Sequence, residues 1–86
     1  MLLNEAERGC VKKLAEVFSR NDTFWESTGN WSAIGLTEQN YVQSLRVLAD
    51  NEIIRFAQEL SYEPYSAFTI NAKVVQAARE IEREEK

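Results

Sequence analysis

Apolar residues recur at helical spacing near the start of the chain. Leu3, Ala6, Cys10, Leu14, Val17 and Phe18 fall three or four apart, with Val11 beside them, which predicts a first helix from about Asn4 to Arg20. Glu5 and Glu7 lie in its first turn, where carboxylates suit the positive end of the helix dipole, and Arg20 lies near the other end. Asn21, Asp22 and Thr23 then break the pattern, and the short aromatic stretch Thr23 to Thr28 reads as a brief strand. The run GNWSAIG predicts a short second helix, with Trp31 and Ile34 buried and Gly35 at a left-handed C-terminal stop. Thr37 is the expected N-cap of a third helix, and Leu36 before it packs as a staple. Within that helix Tyr41, Leu45 and Leu48 share one stripe, and Asp50 and Asn51 end it.

The period then changes. Ile53 to Ala57 is β-branched and aromatic and reads as a strand, and Ser66 to Ile70 reads as its partner, with Phe68 and Ile70 on one face. The segment between them holds Pro64, the only proline, so the pair forms a hairpin with a longish loop. Asn71 is the expected cap of a last helix with an apolar stripe of Val74, Val75, Ala78 and Ile81. A charged tail from about residue 82 is expected to fray. Short helices that share a core need a further surface to cover it, and a hairpin sheet supplies one. The pattern therefore predicts an α+β fold in a single domain over residues 1–86.

Composition narrows the chemistry. There is no histidine and only one cysteine, Cys10, which excludes the usual nitrogen–sulfur zinc sites and both Ser-His-Asp and Cys-His catalysis. Carboxylate pairs such as Glu59 with Glu63, or Glu80 with Glu84, lie in a loop or on a helical tail and lack a pocket to shift a pKa. No enzymatic role, metal or cofactor is expected. Cys10 reads as a small buried apolar residue. A lone cysteine and the lack of a signal peptide or an apolar run long enough to span a bilayer point to a cytoplasmic protein without membrane association.

The segment AIGLTEQNYVQSLRVLADNEIIRF carries a resemblance. A small apolar helix end leads to Gly-Leu-Thr, then to polar residues, to leucines three apart, and to a double isoleucine entering a strand. FTINAKVVQAARE then looks like a return strand and closing helix. From about Leu3 to Ile81 the order resembles the winged helix-turn-helix domain of small bacterial transcription regulators. The resemblance implies a three-helix winged helix-turn-helix with a β-hairpin wing and a C-terminal helix. It also implies a dimer formed through the first and last helices. The chain departs from the usual pattern at Glu52, where such domains often carry glycine, so that turn is either not left-handed or mildly strained.

In such proteins the third helix reads the major groove by its N-terminal part. With Tyr41, Leu45 and Leu48 facing inward, the outward residues are Glu38, Gln39, Val42, Gln43 and Arg46. Glutamine pairs with adenine, arginine with guanine, and valine touches the thymine methyl. Glu38 repels phosphate but accepts from cytosine. The same set also describes an ordinary solvated helix face. Arg46, Arg55 and Lys73 are the cations that would contact phosphate if they converge, about three contacts per subunit, so useful affinity requires a dimer.

The wing, QELSYEPYS, is acidic and has no basic residue; Tyr62 and Tyr65 either donate to phosphate, meet a protein partner or pack on the hairpin. The net charge of −4 argues in the same direction as the acidic wing. Two functions therefore stand. One is a dimeric, DNA-binding transcription regulator acting on double-stranded DNA. The other is a winged helix module that binds a protein partner at the wing.

Overall fold

A computed structural model describes residues 2–26, 31–56 and 67–85 of the chain. The elements run α1 (Glu5–Ser19), β1 (Phe24–Glu26), a 3-10 helix (Trp31–Ile34), α2 (Tyr41–Asp50), β2 (Ile54–Phe56), β3 (Ala67–Ile70) and α3 (Lys73–Glu84). This is the α+β layout of helices and an antiparallel hairpin that the hydrophobic pattern predicts. The expected second helix is a single 3-10 segment, because Gly35 stops it after four residues, too few for an α-helical nucleus.

The sheet has the order β1-β3-β2, antiparallel throughout. Ile54 pairs with Ile70, Arg55 with Thr69, and Phe56 with Phe68. Because side chains alternate across a strand, Ile54, Phe68 and Ile70 face the core while Arg55 and Thr69 face solvent. The helices cover the inner face. Cys10, Val11 and Leu14 of α1, Leu45 and Leu48 of α2, and Val74 and Ala77 of α3 join it in one cluster. The stripe of Val74, Ala78 and Ile81 is thus buried within the chain, as is Leu36.

Chain reversals follow a single hydrogen-bond scheme. After α1, Asn21 N donates to Phe18 O and Asp22 N to Val17 O. After the 3-10 helix, Gly35 N donates to Ser32 O and Leu36 N to Trp31 O. After α2, Glu52 N donates to Ala49 O and Ile53 N to Leu48 O. Each is a Schellman closure, with the left-handed position held by Asn21 (φ 64), Gly35 (φ 80) and Glu52 (φ 62). Gly35 stands where the sequence places it. At Glu52 the strained alternative holds: a β-carbon in this region costs roughly 1–2 kcal/mol. Burial of Leu48 and Ile53 on either side of the closure offsets that cost.

Helix starts differ more from expectation. Asn4 caps α1 in a capping box: its side chain accepts from Glu7 N at 2.8 Å while Glu7 Oε1 accepts from Asn4 N at 3.0 Å. Asn71 does not cap α3. Its Nδ2 donates to Glu52 O at 2.8 Å and its N–H to Ile53 O at 2.9 Å, so it fastens the start of α3 to the turn after α2. Ala72 stands at the cap position with no side-chain bond. The charged end of α3 is helical through Glu84, because cations on α1 face it: Arg8 lies 3.9 Å from Glu84, and Lys12 bonds Glu85.

Candidate nucleic-acid interface

Thr37 begins one helical turn before α2 proper. Its N–H donates to Asn40 Oδ1 at 2.8 Å, and its hydroxyl accepts from Asn40 N at 3.2 Å. This is the reciprocity of a capping box with asparagine in the third position. The turn holds Glu38 and Gln39, and α2 itself starts only at Tyr41. Two of the expected readout residues therefore lie ahead of the helix. The ring of Tyr41 stacks on Trp31, centroids 3.8 Å apart and 8° from parallel, and fixes the start of α2 against the 3-10 helix.

Outward positions follow from this placement. Glu38, Gln39, Gln43 and Arg46 are exposed. Val42 is half-buried, a correction to its expected outward place: a short helix enclosed by α1 and the sheet buries more than one stripe. Ser44, which the sequence does not single out, is buried beside Leu45. Asp50 is exposed one turn beyond Arg46 and shares its face, an acidic neighbour that helical spacing reveals.

The three cations expected to converge have different surroundings. Arg46 on α2 and Arg55 on the outer sheet face are exposed, and among the described residues neither has a carboxylate within 4.0 Å. Lys73 at the start of α3 lies 3.7 Å from the Glu52 carboxylate. The strained turn residue is thus also its counter-ion. Tyr62 and Tyr65 fall outside the described residues.

Cys10 is fully buried, and its thiol is pushed from 9.0 up to about 12, by burial first and by the Glu7 charge second. It is a packed apolar group with no thiolate at neutral pH. No described helix is long and apolar enough to cross a membrane. No family model, curated protein or solved structure matches the chain.

Proposed function

We propose that the chain is a winged helix protein that binds double-stranded DNA as a dimer and serves in the control of transcription in the cytoplasm. The observation that carries this reading is the exposure of Gln39, just ahead of α2, and of Gln43 and Arg46 on it, with no carboxylate within 4.0 Å of Arg46 among the described residues. Glutamine and arginine are the side chains that read adenine and guanine by paired hydrogen bonds. Arg55, on the outer sheet face and likewise unpaired among the described residues, adds a phosphate contact. With Lys73 held by Glu52, each subunit supplies about two phosphate contacts rather than three, so binding is weak and falls with salt at a shallow slope.

Fluorescence anisotropy with a generic duplex over a salt series tests this. Binding is expected at low salt and is abolished by Arg46→Glu. Glu52→Gln frees Lys73, so it should tighten binding and steepen the log–log salt slope by about one. No binding by the unaltered protein at low salt rejects the reading.

A second reading has its own support. The Lys73–Glu52 pair and the net charge of −4 remove positive potential, which suits a winged helix that binds a protein partner. Under it, Arg46→Glu leaves duplex affinity unchanged because there is none to lose.

A further inference from the structure

Asp50 is the last residue of α2 and is exposed one helical turn beyond Arg46, on the same face. Nothing local accounts for a carboxylate there. The negative end of a helix dipole disfavours it, and the last turn of α2 holds no basic residue to offset it. Among the described residues no cation lies within 4.0 Å of it, Arg46 included. The helix end is closed without it. Asn51 Nδ2 donates to Val47 O at 2.9 Å, and the N–H groups of Glu52 and Ile53 donate to Ala49 O and Leu48 O.

What Asp50 acts on is whatever Arg46 meets. Helical residues four apart have β-carbons about 5–6 Å from each other, inside the screening length of physiological salt. A duplex offers Arg46 two kinds of acceptor. A phosphate carries a full negative charge, so seating one at Arg46 brings it into repulsion with Asp50. A guanine edge presents the neutral acceptors O6 and N7 and escapes most of that repulsion. We propose that Asp50 is a specificity-determining residue: it penalises phosphate at Arg46 and leaves the guanine edge as the favoured acceptor. The inference rests on the duplex reading above. Phosphate contacts are alike on every sequence and base contacts are not. A carboxylate that weakens the first and spares the second therefore widens the gap between a chosen duplex and an arbitrary one. Discrimination then comes from a repulsive element as well as an attractive one. Glu38 stands in the turn ahead of α2, further along the chain from Arg46, and adds less.

Equilibrium binding to two duplexes tests it: one of random sequence, and the sequence that the unaltered protein enriches from a random pool. Asp50→Asn should bind the random duplex roughly threefold more tightly and the enriched one hardly more, so the ratio of the two affinities falls by about that factor. Its salt slope on the random duplex steepens, as a further phosphate is held. Asp50→Ala gives the same result, which separates loss of charge from the hydrogen-bonding reach of asparagine. Glu82→Gln, exposed on α3, makes the same change in net charge and leaves the ratio unaltered. An unchanged ratio in the Asp50 variants, or an equal fall in Glu82→Gln, overturns the inference and leaves the duplex reading standing. A protein that binds neither duplex overturns both.

Discussion

Glu52 holds three functions at one position: it supplies the left-handed residue that closes α2, its carbonyl accepts from Asn71, and its carboxylate faces Lys73. Only the first involves strain. Glu52→Gly relieves the β-carbon and keeps the carbonyl, at the cost of a more flexible unfolded chain. The expected net gain is about 0.5–1 kcal/mol, read as a higher urea midpoint at unchanged slope. Cys10 gives a second expectation. Its pKa is raised in the folded state, so above about pH 9 the unfolded chain releases a proton that the folded one keeps. Stability contributed by Cys10 is therefore complete below that pH and is lost as pH rises toward 12. Cys10→Ser, which has no thiol to ionise, should flatten this part of the stability profile, measured by urea denaturation from pH 8 to 11, despite a lower plateau.

At the scale of elements, caps and closures set where helices begin and end. The Asn4–Glu7 capping box satisfies two helix-end N–H groups, and Glu7 is nearly buried in doing so. Asn4→Ala should cost about 1 kcal/mol in chemical denaturation. Glu7 would keep its own bond to the backbone of residue 4.

These starts and stops were unequally legible. Gly35 declared its stop because glycine adopts the left-handed region without a penalty, whereas Glu52 does so only because Leu48 and Ile53 bury around it. Hydrophobic periodicity carried α1, α2 and the β2–β3 pairing, since the apolar stripes coincide with the buried faces. Asn71 read as a cap by residue type alone. Its actual partner, Glu52 O, is distant in sequence and belongs to tertiary structure. The helical end of α3 was hidden for the same reason, because the cations that hold it are on α1.

Over the whole molecule, cations are where sequence reading reaches its limit. Arg46, Arg55 and Lys73 look equivalent along the chain, yet Lys73 has a counter-ion and the two arginines have none among the described residues. Arg8 and Lys12 are likewise engaged with Glu84 and Glu85. Positive potential available to a polyanion is thus smaller than a count of lysines and arginines suggests, and on α2 and the outer sheet face it comes from Arg46 and Arg55. That is why the proposed salt dependence is shallow and why removing one carboxylate at Glu52 should be felt in it.

The contacts of Arg8 with Glu84 and of Lys12 with Glu85 fasten the last turn of α3 to α1 by ionic clasps. Clasps of this kind weaken as ions crowd in, so added salt should loosen that last turn while the apolar interior stays shut.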